Sequence, residues 1–300
     1  MLIFHRVLES RDALFPSEQY RESFAARMKW VRDRFNVLSL SEGIQRLESG
    51  SLPERPLCIT FDDGYADNYS VALPILADLG LTATFFVASG YLNGGRMWND
   101  TIIEAIRLTS SAALDLGHVG LSEMPVAAVS EKREAISSIL AKVKYLPGED
   151  RLKAAERIAR SAGVALPDRL MMTDAEVRAL HGHGMEIGAH TVSHPILLNQ
   201  CAEDAQTEIV DGKNALEKII DAAVRLFAYP NGIPGQDYLA DHVRMVRAAG
   251  YRGAVSTAWG AARSGDDIFQ VPRFTPWDTA MWRFGLRLAQ NIRREDYRIV

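Results

Sequence analysis

Ile59-Thr60-Phe61-Asp62-Asp63-Gly64-Tyr65 decides the fold: an apolar run, Leu57 to Ile59 with Phe61, stops on two adjacent carboxylates and a glycine. The apolar residues predict a buried strand, and Gly64 supplies the backbone freedom for a sharp turn past its end. Neighbouring carboxylates repel, so one of the pair would hold a proton unless a cation relieves them. A second stretch offers partners for that cation. Met185 to Ala189 is another apolar run, and it ends on His190-Thr191-Val192-Ser193-His194-Pro195. Histidines four apart converge on one ion when their segment makes a single turn, and a carboxylate then completes a facial site with positions left for water. Taken singly, Asp-Asp-Gly also reads as an ordinary turn, and the two histidines as surface or capping residues. Their joint placement at the C-terminal ends of two predicted strands favours the metal site.

Outward from these motifs the chain alternates strands and helices, the pattern of an α/β fold with a largely parallel sheet or barrel. Strands are predicted at Leu2–His5, Val37–Leu40, Ala83–Val87, Val224–Ala228 and Gly253–Ser256, and Phe269–Phe274 completes the barrel. Helices are predicted from Pro16 to about Phe35, from Ser41 to near Gly50, and over Tyr69–Leu79, Glu203–Ile220, Asp237–Ala249 and about Thr279–Ile292. Thr173-Asp174-Ala175-Glu176 is a capping box that starts the helix leading into the histidine strand. His181 and His183 belong to that helix end and are not assigned to the metal. From about Arg96 to Met172 the strand rhythm stops, and helices are predicted at Asp100–Leu108 and Ser130–Ser161. So long a stretch is not a bare loop, so it is read as a helical insertion in a single domain spanning 1–300, serving either substrate access or as a structural cover.

The two motifs resemble those of the polysaccharide deacetylases of carbohydrate esterase family 4, the NodB homology domain. Thr60-Phe61-Asp62-Asp63-Gly64 matches that family's first motif and His190-Thr191-Val192-Ser193-His194 its second, and with flanking strands the resemblance covers most of the chain. It implies a distorted (β/α) barrel of the polysaccharide deacetylase type, with the helical insertion at about 96–172. The implied activity is metal-dependent hydrolysis of an N-acetyl group on an amino sugar in a polysaccharide, oligosaccharide or glycan precursor. In that frame Asp63, His190 and His194 hold a divalent ion, Zn2+ foremost, while Asp62 accepts a proton from water. Tyr229-Pro230-Asn231-Gly232 resembles the third motif, with Tyr229 and Asn231 as a substrate wall and the Asn231 backbone N–H as an oxyanion donor. An ordinary turn is the other reading of that stretch.

Two features depart from the family pattern. The arginine that usually stands two residues before the proline and orients the catalytic aspartate is Ala228 here, so that brace is missing. The last motif's histidine, which protonates the leaving amine, is also missing: beyond Gly232 only His242 remains, inside a predicted helix. His5 is the candidate in its place, because closing a barrel brings the first strand beside the last and sets His5 at the C-terminal end of strand one; local hydrogen bonding is the alternative. Trp277, in the turn after Phe274, offers an aromatic face to a sugar ring or else packs. Two other functions stay open: a related amidohydrolase acting on another non-peptide C–N bond, such as a formyl amide, and a non-catalytic carbohydrate-binding relative.

Composition narrows the partners. With 300 residues, 47% of them hydrophobic, the chain builds one large α/β domain. A net charge of -4 with both signs intermixed gives no broad basic face and argues against nucleic acid as the main partner, so none is expected. There is no twenty-residue apolar run, so no membrane span is expected. Met1-Leu2-Ile3-Phe4-His5-Arg6 enters a strand without leader-peptide features, and the two cysteines, Cys58 and Cys201, are consistent with a reduced compartment, so a cytoplasmic location is expected. An N-acetylated carbohydrate is the expected partner, and oligomeric state leaves no mark.

Overall fold

Short apolar runs bounded by turns form six strands: β1 Leu2–Phe4, β2 Ile59–Phe61, β3 Thr84–Val87, β4 Glu186–Ala189, β5 Leu226–Ala228 and β6 Gly253–Val255. The computed structural model describes residues 1–294 and 297–300. The strands lie side by side in chain order and all pair in parallel. The extended segment 271–274 closes the ring. On one side Val271 N–H donates to the Ala254 carbonyl and Ser256 N–H to the Val271 carbonyl, both at 2.9 Å. On the other, Phe274 N–H donates to Met1 at 2.9 Å and Ile3 N–H to Phe274 at 3.0 Å. The expected distorted (β/α) barrel is therefore what forms.

Alternation along the strands separates two apolar faces. Phe4, Phe61, Phe85, Ile187, Phe227 and Phe274 face the surrounding helices in one large core. Phe61 stacks on Phe85 with ring centroids 4.7 Å apart, and Phe4 joins them at 5.4 Å from Phe61. The other face carries Phe86, Leu226, Ala228, Val255 and Val271, packed with Leu40 and Ile44 of helix Leu40–Glu48.

Several predicted boundaries move, each for a local reason. Ser39, not Ser41, caps the second helix, its hydroxyl accepting Glu42 N–H at 3.3 Å, and the strand before it shrinks to Asn36–Val37. The first helix starts at Arg21, because Gln19–Tyr20 pairs with Val7–Leu8. Tyr69–Leu79 becomes a wide turn, Asn68–Ala72, running into helix Leu73–Asp78, since Pro74 has no N–H with which to extend a regular ladder. Asp237 does not start a helix; its carboxylate accepts Ile233 N–H at 2.9 Å, and the helix begins at Ala240.

Two compact units are present: residues 1–10, 17–93 and 171–300 form the barrel unit, and residues 11–16 and 94–170 form the other. The second unit has its own core, in which Ile102, Ile106, Ile136, Ile139, Ala155 and Ile158 join helices Trp98–Leu108, Val129–Val143 and Gly148–Ala162. The helical stretch predicted over Ser130–Ser161 is divided ahead of Pro147, which disfavours helical geometry in the residue before it. Ala113–Leu114 and Met124–Pro125 add a short antiparallel pair, and Arg107 forks onto both Asp12 oxygens at 3.0 and 2.7 Å. No described helix is long and apolar enough to cross a membrane.

Candidate active site

Asp62 and Asp63 follow β2, and His190 follows β4, so both motifs hang from the C-terminal ends of barrel strands. Neighbouring strands pin them: Asp62 N–H donates to Phe4 at 2.9 Å, Ala88 N–H to Asp63 at 3.2 Å, and His190 N–H to Val87 at 3.1 Å. His190 Nε2 and His194 Nε2 each lie 3.4 Å from Asp63 Oδ1, and one donor atom from each of the three residues falls within 4.8 Å of the others.

The second contacts of these residues fit a divalent ion. His190 Nδ1 lies 2.7 Å from the Ala228 carbonyl, so Nδ1–H donates there and Nε2 is left to face Asp63. A ligating histidine characteristically has its other nitrogen fixed in this way. The left-handed backbone at Thr191 (φ 66) and His194 (φ 51) makes the single turn that brings the histidines together. Asp63 (φ 78) and Asn231 (φ 59) share that conformation, so among the described residues four of the seven non-glycine positions with positive φ belong to these strand-end turns. Such backbone persists only where its surroundings over-determine it.

Helix Ala202–Ile220 provides those surroundings. Glu208 Oε2 accepts the N–H groups of Val192 and Ser193, both at 2.8 Å, while its Oε1 accepts the Ser193 hydroxyl. Gly212 of the same helix sits so close that an added Cβ would lie 2.8 Å from the Thr191 carbonyl carbon. From the other side Ser89 and Gly90 donate N–H groups to Thr191 and Val192, and the Tyr91 hydroxyl donates to Ser193.

Burial and charge compete at each site residue. Burial depresses His194 to about 4, with His190 adding to the effect, so His194 is a neutral lone-pair donor at neutral pH. Burial also lowers His190, but hydrogen bonding to Asp63, the charges of Asp62 and Asp63 and the Ala228 carbonyl outweigh it, and its pKa ends above the ordinary value. Asp63 is pushed up by burial and pulled further down by hydrogen bonding to His190 and the charges of His194, His5 and His190, so it stays a carboxylate.

Arg273 was not assigned from sequence, and it corrects the expectation of a missing brace. Its Nη1 donates to Asp62 Oδ1 and its Nη2 to Oδ2, both at 2.7 Å, while Nη1 also reaches Thr60 Oγ1 at 3.1 Å and Nε the Ser256 carbonyl at 2.9 Å. The guanidinium is fully buried and comes from the closing segment rather than from the Tyr229-Pro230 turn. Burial raises the Asp62 pKa, but the Arg273 charge, then His190 and the Arg273 hydrogen bonds, bring it below the ordinary carboxylate value. The sequence signal was a lone arginine inside the apolar run Phe269–Phe274; Glu208, one helix beyond the histidines, left none.

The remaining candidates divide. His5 is exposed just past β1; its backbone carbonyl accepts Asn68 Nδ2 at 2.8 Å, and its charge is felt by Asp62, Asp63 and His194. Asn231 is half-buried on its turn, its carbonyl accepting the Thr257 hydroxyl at 2.8 Å. Trp277 is 59% exposed and meets Trp259 at 5.8 Å. Tyr229 does not form a substrate wall, and that expectation is corrected: the side chain is fully buried, stacks on Tyr238 at 3.9 Å and donates its hydroxyl to Phe269.

The family model described as polysaccharide deacetylase matches residues 49–146 and 149–254. A curated Bacillus subtilis (strain 168) protein named "Putative polysaccharide deacetylase YxkH" is 21% identical over 275 residues, 91% of this chain and 69% of that protein. The Streptococcus pyogenes deacetylase PplD, solved in complex with acetate, superposes with a TM-score of 0.60 at 19% identity, covering 91% of this chain and 90% of its own. IcaB from Ammonifex degensii gives a TM-score of 0.61 at 18% identity over 97% of this chain and 95% of that one. At these identities the two structures show a shared fold.

Proposed function

We propose, from the premise that this chain belongs to the polysaccharide deacetylase family, that it removes the N-acetyl group from an amino sugar within a glycan or glycan precursor. It is a hydrolase of carbon–nitrogen bonds other than peptide bonds. The observation that carries the finer reading is the Asp63, His190 and His194 cluster beside an Asp62 held at both oxygens by Arg273.

Asp63, His190 and His194 would hold the ion, with two imidazoles and one carboxylate favouring zinc. When bound, such an ion polarises the acyl carbonyl and makes water more acidic. Asp62 takes a proton from the attacking water, and the Arg273 fork keeps that carboxylate ionised and aimed. Water's oxygen adds to the acyl carbon, the C–N bond breaks, acetate departs and the sugar nitrogen leaves as an amine. His5 gives that nitrogen its proton, a role supported by its exposure past β1 and its electrostatic reach to Asp62 and Asp63. The Asn231 N–H assists the developing oxyanion, and Trp277 offers its exposed ring to a sugar face. The acetate held by the Streptococcus pyogenes relative is the acid this reaction would release.

Arg273 also removes one motive for a binding-only protein, because the brace that looked absent is supplied from elsewhere. The test is metal content together with acetate release from N-acetylglucosamine oligomers, before and after chelation and zinc return. About one metal per chain with chelator-sensitive acetate release supports the reading. Metal with no acetate release transfers it to another acyl group or to binding alone, and no metal under any loading rejects it. In Asp62→Asn, metal should stay and turnover should vanish; turnover equal to the parent's rejects Asp62 as the base.

A further inference from the structure

The helix Met281–Ile292 carries an apolar arc much wider than the face it buries, where a surface helix of a globular protein needs only the buried part. Phe284, Leu288 and Asn291 form the buried face. Phe284 packs on Trp30 at 5.4 Å and under the Arg27 guanidinium, and Asn291 Nδ2 donates to the Gly260 carbonyl at 2.8 Å. These anchors fix the helix's rotation, so the opposite stripe cannot turn inward. That stripe carries Trp282 and Leu286, 68% and 52% exposed, at the i, i+4 spacing that makes them neighbours.

Charge identifies what fits this stripe. Although the chain carries a net charge of -4, residues 279–294 hold Arg283, Arg287, Arg293 and Arg294 and no aspartate or glutamate, the nearest acids in the sequence being Asp278 before them and Glu295 and Asp296 after. Arg287 is paired with Asp278 at 3.2 Å, whereas the Arg283 guanidinium lies over the Trp282 ring at 5.2 Å, next to the apolar stripe. By helical position Arg293 continues the outward stripe beyond Leu286. A second copy of the chain meeting this face about a twofold axis would set arginine against arginine. An anionic lipid surface meets both features, taking tryptophan and leucine at the level of its headgroups and acyl boundary while its negative charge attracts the arginines.

We propose that Met281–Ile292, with Arg283 and Arg293, docks the protein on an anionic bilayer surface, Trp282 and Leu286 entering the headgroup region. The test is co-sedimentation of the full chain with phosphatidylcholine vesicles and with vesicles containing phosphatidylglycerol, at 0.1 M and 0.5 M salt, ~10 Å and a few Å of screening length respectively. Expected are pelleting only with phosphatidylglycerol, weakening at high salt, and at least a tenfold lower bound fraction for Trp282→Ser/Leu286→Ser and for Arg283→Glu/Arg293→Glu. All four positions are exposed, and unchanged melting curves confirm that the variants fold. Equal pelleting with both lipids, no pelleting at low salt, or variants that bind as the parent does would overturn the proposal. So would a concentration-dependent dimer that Trp282→Ser/Leu286→Ser abolishes, because a second copy would then cover the face.

Discussion

At Asp62, two oxygens meet one guanidinium, and that pairing sets how strong a base the carboxylate is. Burial raises its pKa, and the Arg273 charge and hydrogen bonds contribute to bringing it below the ordinary value. Arg273→Met should therefore move the acid limb of kcat/KM to higher pH, since Asp62 would hold its proton longer as pH rises. Removing one partner of a buried pair should also lower stability by about 3–5 kcal/mol, read from denaturant melts. Arg273→Lys retains charge without the fork, so the limb should stay nearer the parent's while kcat falls. An acid limb unmoved in Arg273→Met would show that Asp62 is not the titrating base. His190 makes the opposite case: its raised pKa favours the protonated ring that ligation must displace. Zinc binding should release a proton and weaken as pH falls, which calorimetry in buffers of different ionisation enthalpy measures directly. The candidate ligands and base were legible because their spacing is local, four residues for the histidines and one for the aspartates. The Arg273 contact was not, because it spans 211 positions and depends on which strand lies beside which.

At the scale of elements, the histidine turn is held from two sides. Glu208→Gln would replace a charged acceptor serving two backbone N–H groups, and zinc affinity should fall by about 10–100-fold with the ligands intact. Gly212→Ala, whose Cβ would lie 2.8 and 2.9 Å from Thr191 backbone atoms, should displace the turn and lower both zinc affinity and melting temperature. Competition with a chromophoric chelator reads the affinity; a parent-like value for both variants would show that the helix does not hold the site. Strand and helix types were readable along the barrel because apolar runs and caps are local signals. Tyr229 was misread through parity: it lies two residues beyond Phe227 and shares its outward face, whereas Ala228 between them faces the other way. Glu208 was invisible because nothing in a helix's own pattern shows which loop its flank will meet.

For the whole molecule, an ion held by Asp63, His190 and His194 would link binding to folding, because the three residues come from turns after two different strands. Zinc at about 1,000 times its dissociation constant should stabilise the native chain by about 4 kcal/mol. His194→Ala should lose most of that rise in melting temperature; a full rise in the variant would place the ion elsewhere. Ring closure also has an order in time. Residues 63, 190 and 194 leave the ribosome well before residue 273, so a nascent chain can gather its candidate metal ligands while Asp62 still lacks its partner. In the proposed reaction the closing segment that joins β6 to β1 would thus also arm the base, because Asp62 gains its guanidinium partner only when the last stretch of the circumference is in place.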